Sequence, residues 1–487
     1  MKPSKQQQHT NKFEIPDGPW TDVDLSGVVP PGGSLSHRTA ALDTMYYDTA
    51  DFGLLRARLA LRRRSGDEDA GWLLTLPAGD APTELHLPIE GRGVPAPFRQ
   101  LTLGVRSGQP LRAVARVRTQ RDVRVIHGVD GSALVELVLK TVTATRLGST
   151  AVMTRWREIA IDVREGDHAL LKRVSKQVRK AGAIVSASSP TLTRALGDAA
   201  PGTGAADDGA SAGADLAGLV RTYLNGQHDA VLAGDLALRR EQGQIHATRV
   251  AIRRYRSVLK VLADVFDTER ASALDAELRW YSGILGAVRD LQVLGDHLRA
   301  ELADLPQQYV LGPVSARLEQ TLTREITGAQ RTLSATLRGR RYLALLAELQ
   351  TWSVEPPLIG AHGKPARRVE RYLRSADRKL ERRLAAADRL PQHDPNKDAA
   401  LHRARRAAKR ARYTAELSRP VLGKTARTSN SSAKKLQTSL GEYQDAVVAT
   451  TFLRRLGAVA GTTPGENGFT FGVLLANEVR RAREHLR

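Results

Sequence analysis

The chain has 487 residues, 41% of them hydrophobic, and sets 74 Lys and Arg against 52 Asp and Glu for a formal charge of +22. That length asks for two or three domains with real cores, and a surplus this large self-repels unless a polyanion such as nucleic acid, an anionic surface or polyphosphate meets it. The absence of cysteine excludes disulfides and thiolate metal sites, and no apolar run approaches membrane-spanning length, so a soluble cytoplasmic protein is expected.

The N-terminal stretch MKPSKQQQHTNKFEIPDG lacks the apolar centre of a signal peptide. From there to about residue 198 the texture is that of strands. Short β-rich runs fall at 44–48, 56–64, 72–76, 84–89, 111–118, 133–139, 141–147 and 156–163. In 56–64, alternation sets Ala57, Leu59 and Leu61 against Arg56, Arg58, Arg62 and Arg64. In 111–118 it groups Arg112, Val114, Arg116 and Arg118. Roughly six to eight strands with Gly, Pro and Asp turns predict an antiparallel sheet or barrel, interrupted by helices near 97–103 and 169–181.

Residues 199–214, AAPGTGAADDGASAGA, read as a flexible linker. Beyond it the period becomes 3.6. Helical segments are expected over 215–240, 244–265, 268–300 and 311–350, then, after a Pro/Gly break at 355–366, over 366–388, 398–418, 430–457 and 468–486. This half also holds the charge: roughly seventeen of the surplus positive charges lie after residue 214 and roughly five before it.

The two helical halves repeat each other. His246-x-x-Arg249-x-x-x-Arg253-Arg254-x-Arg256 recurs as His402-x-x-Arg405-x-x-x-Lys409-Arg410-x-Arg412. Leu285-Gly286-x-x-Arg289-Asp290 is answered by Leu440-Gly441-x-x-Gln444-Asp445. The spacing reads as a duplicated four-helix bundle. Helical periodicity lines up His246, Arg249, Arg253, Arg256 and Lys260 on one side, and His402, Arg405, Lys409 and Arg412 on the other copy. A single basic helix face is ordinarily solvated surface. Here a His recurs in both copies and no acid stands at i+4, which favours a specific anion site. Guanidinium forks and ammonium groups suit phosphate, and imidazole adds a titratable donor. Asp290 and Asp445 either orient these cations or serve within the bundle, and His228 is a lesser candidate. With aromatics at only 5% and no base-reading motif, polyphosphate fits better than nucleic acid, which stays open.

From about residue 215 to the end, these motifs, with LGxxxD and ALHRARRAAKRARYTAEL, resemble the CHAD family of conserved-histidine α-helical domains. The resemblance implies two four-helix bundles about a pseudo-twofold axis and binding of inorganic polyphosphate, with no cofactor, through His246, Arg249, Arg253, Arg256, Lys260, His402, Arg405, Lys409 and Arg412. Association with polyphosphate granules is the corresponding place in the cell. Position 260 is Lys where its counterpart is Glu416, so the two faces differ.

Residues 5–198 resemble the CYTH family, the triphosphate tunnel metalloenzymes, through YYDTAD at 46–51, LALRRR at 59–64, GWLLTLP at 71–77, ARVRTQR at 115–121 and WREIAIDVREGD at 156–167. The resemblance implies an α+β chain whose antiparallel β-tunnel holds a triphosphate on inward Lys12, Arg62, Arg64, Arg116 and Arg118, with Mg²⁺ or Mn²⁺ on inward acids. The family's opening Glu-x-Glu-x-Lys falls on Gln8-His9-Thr10-Asn11-Lys12, with both acids gone. Lys140 stands at a family Asp, Ala160 at a usual acid, and Thr75 at a usual Lys. Glu136, Glu158 and Asp162 are the acids left. The expectation is a tunnel that binds but is catalytically impaired; an active metal-dependent triphosphatase is the alternative, and only that activity would require Mg²⁺ or Mn²⁺. Gly423-Lys424-Thr425 resembles the end of a Walker A loop but has Ser418 where that loop needs Gly.

Overall fold

The computed structural model describes residues 10–17, 21–66, 70–77, 83–148, 151–186, 190–201, 215–361, 365–391 and 394–484. The chain forms two compact units, 1–203 and 204–487.

The first unit contains β1 (Thr10–Ile15), β2 (Ser34–Asp48), α1 (Gly53–Arg56), β3 (Ala60–Ser65), β4 (Gly71–Leu76), β5 (Thr83–Leu87), α2 (Ala96–Leu101), β6 (Arg112–His127), β7 (Ala133–Arg146), β8 (Val152–Val163), α3 (His168–Lys180), β9 (Ile184–Val185) and α4 (Thr191–Leu196). The nine strands make one antiparallel sheet in the order β5-β4-β3-β2-β6-β7-β8-β1-β9. It has more strands, and longer ones, than the sequence pattern predicts. The runs 133–139 and 141–147 are one strand, and 56–64 is not a strand throughout. Arg56 closes a helical turn and Arg58 adopts a positive φ of 59°, so pairing begins only at Ala60. The cause lies in YYDT. Buried Asp48 accepts hydrogen bonds from the backbone N–H of Thr49, Leu54 and Leu55 at 2.7, 2.8 and 3.0 Å, folding the chain into a turn before β3.

One sheet face is apolar toward the β8–β1 side: Phe13, Ile15, Ile126, Leu137, Ile159 and Ile161 pack on Leu170, Leu171, Val174 and Val178 of α3. Asp167 caps that helix at Leu170 N, 2.7 Å away. The other face is charged and strongly curved. Glu84 on β5 and Glu158 on β8 lie three strands to either side of Tyr46, about 14 Å each in a flat sheet. Yet both act on the Tyr46 hydroxyl, whose pKa is raised first by burial. The charged face is therefore the inner one.

The second unit is helical: α5 (Leu216–Arg239), α6 (Ile245–Val261), α7 (Thr268–Asp304), α8 (Val314–Arg338), α9 (Arg340–Val354), α10 (Pro365–Asp388), α11 (Lys397–Ala460) and α12 (Phe469–Glu484). Two boundaries depart from expectation. The segment 311–350 is two helices, broken where Gly339 turns extended. The segments 398–418 and 430–457 run together as α11 across a kink holding Pro420 and Gly423, the latter at φ 49° and ψ −110°. The Gly-Lys-Thr triplet thus sits in a helix kink and forms no phosphate loop. Asp215 and Asp267 cap α5 and α7. On α6, Ile245, Ile252, Tyr255, Val258 and Leu259 are buried, with Tyr255 and Phe266 packed on Trp352. Leu294, Leu298, Leu318, Phe452, Leu453 and Phe471 join α7, α8, α11 and α12. Helix α6 also meets α11, which brings the two basic motifs together. Among the described residues, no helix is long and apolar enough to cross a membrane.

Candidate anion-binding site

Each His-Arg motif packs against its own Leu-Gly motif in the same way. Arg249 donates from Nη1 to Asp290 Oδ1 at 2.7 Å, and Arg405 Nη2 lies 3.8 Å from Asp445 Oδ1. The guanidinium packs on the glycine: a Cβ at Gly286 would stand 3.4 Å from Arg249 Nη2, and one at Gly441 3.4 Å from Arg405 Nη2, the same close contact in both copies. Asp290 and Asp445 therefore orient arginines across helices, and Asp290 is not merely a partner of adjacent Arg289. Buried Arg249 Nε and Arg405 Nε each lack an acceptor among the described residues.

Arg253 and Lys409, one from each motif and both half-buried, lie close enough to these two arginines to feel both guanidinium groups. Neither pairs with a carboxylate among the described residues, although Arg253 Nε donates to its own helix at Arg249 O, 3.2 Å away. Burial, then the guanidinium groups of Arg405, Arg253 and Arg249, push the Lys409 ammonium from 10.5 down to about 7. Burial also lowers Arg253, with Arg249 and Arg405 adding to the effect. His246 is held below its usual value by burial and then by Arg253, Arg289 and Arg249. Asp445 is pushed up, chiefly by burial, with Asp290 adding like charge. His402 is exposed, its Nδ1 3.1 Å from Gln444 Oε1. The central cluster is thus a place where cations repel one another at reduced solvation, a state that an anion relieves.

The remainder of the basic row is differently employed. Arg256 and Lys260 both hold Asp275, at 2.8 and 3.1 Å. Arg412 pairs with Glu416 at 3.2 Å, an i+4 acid, which corrects the expectation that neither motif has one. His228 is buried on α5, its Nδ1 3.2 Å from Asp229, with Nε2 unpartnered among the described residues, and none of its described contacts is to the basic cluster.

In the sheet unit, register separates the predicted triphosphate residues. Strict alternation places Lys12, Arg62, Arg64, Glu136, Glu158 and Asp162 on the inner face, whereas Arg116 and Arg118 point the other way. Arg116 there holds Asp43 bidentately. These two arginines are therefore corrected out of the inner set. Arg121, opposite Lys140, and Glu14, opposite Glu158, take inner places that sequence reading missed. The same period-two count would have found both once a register was known.

Inner acids are engaged by cations: Glu158 by Lys140 at 3.2 Å, Glu136 by Arg164 at 3.1 Å, Glu14 by Arg194 at 2.7 Å, and Glu84 by Arg62. Thr75, also inward, bonds Arg62 and Glu84. Among the described residues, this unit brings no three His, Asp or Glu ligand atoms within 4.8 Å of one another. That donor set does not fit a divalent cation, which needs several hard oxygens on one point. Gln8 and His9 lie outside the described residues.

The CHAD domain pattern matches residues 222–454. The uncharacterized protein Rv2226 of Mycobacterium tuberculosis is 33% identical over 471 residues, covering 92% of this chain and 89% of its own length. The chain belongs to the CHAD-domain proteins. Its CHAD domain is similar to the solved CHAD domain from the plant Ricinus communis, at 25% identity over 56% of this chain and 92% of that one, with a TM-score of 0.45. Its N-terminal sheet is similar to a putative adenylyl cyclase from Hippeastrum, described as having a dominant triphosphatase activity, at 15% identity over 38% of this chain and 93% of that one, TM-score 0.22. The CHAD domain of this protein is accordingly the unit in which the His-Arg motifs, the glycine contacts and the paired aspartates occur.

Proposed function

We propose that the CHAD domain binds inorganic polyphosphate in the cytoplasm, without a cofactor, by threading phosphate groups past Arg249, Arg253, Arg405 and Lys409. The observation that carries this is the meeting of Arg253 and Lys409, drawn from two separate motifs into one cluster in which neither forms an ion pair among the described residues. A polymer with one negative charge per unit answers repeated cations that offer no base-stacking platform. His246 and His402 flank the row as hydrogen-bond donors, and the duplicated motifs give the polymer equivalent contacts on both sides. Granules of polyphosphate are the natural destination of such a protein.

The sheet unit serves as an anion-binding or docking module whose metal chemistry is impaired, because Lys140 neutralises Glu158 and arginines hold Glu14, Glu84 and Glu136. Titration of long-chain polyphosphate into the full chain tests the main reading: Arg253→Gln/Lys409→Gln should weaken binding at least a hundredfold, leaving no more than weak binding of chain ends, while the native fold is retained. Unchanged affinity would end it, and displacement by duplex DNA at equal phosphate concentration would transfer the reading to nucleic acid. Triphosphate turnover with Mg²⁺ or Mn²⁺, lost in Glu158→Ala, would restore the enzyme alternative.

A further inference from the structure

Among the charge differences between the two motifs, the exchange of Lys260 for Glu416 has a second pocket as its structural consequence. The repeat sets Arg254 against Arg410 and Lys260 against Glu416. On one side of the contact between α6 and α11 the pair is closed: Arg254 Nε donates to Glu416 Oε2 at 2.6 Å. On the other side of that contact the equivalent positions are two cations, Arg410 and Lys260, which cannot close on each other. They line a cavity of about 120 Å³ with Lys379, Tyr372 and Ser375, floored by Val261, Ala376 and Ala407.

The charge around this cavity is unbalanced. Asp275, the carboxylate paired with Lys260, is already shared by Arg256 at 2.8 Å, Lys260 at 3.1 Å and Arg279 at 3.3 Å. Among the described residues, neither Arg410 nor Lys379 forms an ion pair. The Tyr372 hydroxyl is engaged by Asp264 at 2.8 Å and Arg368 at 3.0 Å, which leaves the two free cations as the pocket's uncommitted polar groups. Arg256 and Arg406 add positive charge beside Arg410. Drug-sized ligand pockets run to roughly 300–1,000 Å³, so a nucleoside does not fit here. What fits is small, rich in oxygen and multiply charged.

We infer that this cavity is a second anion site, distinct from the central cluster, that takes one or two phosphate groups. Arg410 offers a fork, Lys379 and Lys260 point charges, and the three come from separate helices, α11, α10 and α6. Free pyrophosphate and the end group of a polyphosphate chain share this chemistry. The inference does not depend on the central cluster binding polymer. It withdraws Lys260 from the polymer row and assigns it to the pocket.

The test uses the full chain carrying Arg253→Gln/Lys409→Gln, so that the central cluster is silent, with pyrophosphate and a short polyphosphate of defined length titrated calorimetrically. One equivalent of either ligand should bind. Lys260→Glu, which rebuilds the closed pair of the other side, should weaken that binding at least tenfold while the free protein unfolds at no lower temperature. Glu416→Lys should open the equivalent position and raise the stoichiometry toward two. Pyrophosphate binding identifies a free ligand, and binding of the short polymer alone identifies an end-group site. Failure of both ligands at millimolar concentration, or binding indifferent to Lys260→Glu and to Arg410→Gln, overturns the inference whatever the polymer does at the centre.

Discussion

Lys409 makes the central cluster measurable by pH. Its ammonium titrates at about 7 in the free protein instead of 10.5, because it is buried among Arg405, Arg253 and Arg249. The difference corresponds to about 5 kcal/mol between its two protonation states. A phosphate chain laid across the cluster supplies the missing counter-charge and returns the group toward its ordinary value. At pH 8 the free protein has Lys409 mostly neutral, so binding takes up nearly one proton; at pH 6 it takes up almost none. By linkage the affinity should fall about fivefold from pH 7 to 8 and about fifty-fold from pH 7 to 9. Calorimetry in buffers of different ionisation enthalpy counts the proton directly. Terminal phosphates titrate nearby, so the decisive readout is the difference from Lys409→Arg, which stays charged and should lose the proton uptake and flatten the profile. The same shift sets the stability of the free protein. A lysine depressed in the folded state is unfavourable below pH 7, and between 7 and 10.5 the unfolded chain binds more protons, so stability should rise with pH by about 2 kcal/mol from pH 7 to 9. Proton uptake identical in the two proteins would refute the placement of Lys409 at the anion site.

Three further outcomes are expected. Polyphosphate affinity should fall steeply with salt, by analogy with counterion release from DNA, and Arg253→Gln should reduce the slope by about one, as followed by titration across a salt series. Asp48→Ala should destabilise the sheet unit by about 1–3 kcal/mol in denaturant unfolding, because three backbone N–H groups lose their shared acceptor. Lys140→Asp should remove the partner of Glu158 and put a second carboxylate beside it, with Asp162 two residues along the same face. Paramagnetic resonance should then detect Mn²⁺ binding stronger than in the parent protein, and no gain would mean that Lys140 is not what blocks the metal.

Legibility in the sequence followed the range of the interaction. Helical period and the recurrent His-Arg spacing were enough to bring Arg249, Arg253, Arg405 and Lys409 to one place, because 3.6-residue geometry is local and the two motifs repeat. The carboxylates that engage the rest of the row were not readable, since Asp275 reaches Arg256 and Lys260 from α7. Glu416 was visible at i+4 from Arg412, but its second bond, to Arg254 across the bundle, was not. In the sheet, alternation correctly grouped Arg116 with Arg118 and Arg62 with Arg64. It could not say that the two groups face opposite ways, because that depends on the β2–β6 and β2–β3 registers. The turn at Asp48 defeated the pattern at 56–64 for a similar reason: its three backbone bonds override an alternation that looks like a strand.

The two sides of the contact between α6 and α11 solve the same electrostatic problem in opposite ways, and this is what gives the charge exchange at 260 and 416 its meaning. Where Glu416 is present, Arg254 and Arg412 are tied down and spend their charge inside the protein. Where Lys260 takes its place, Asp275 must serve three cations, and among the described residues Arg410 forms no ion pair. Ordinary selection for stability would favour the closed arrangement twice, since an unpaired, half-buried guanidinium is costly. An open arrangement retained on one side, beside a central cluster that already depresses a lysine to about 7, places the unfavourable charge where a ligand can relieve it. Stability forgone in the free protein reappears as affinity, so ligand binding should raise the unfolding temperature more in the parent protein than in Lys260→Glu.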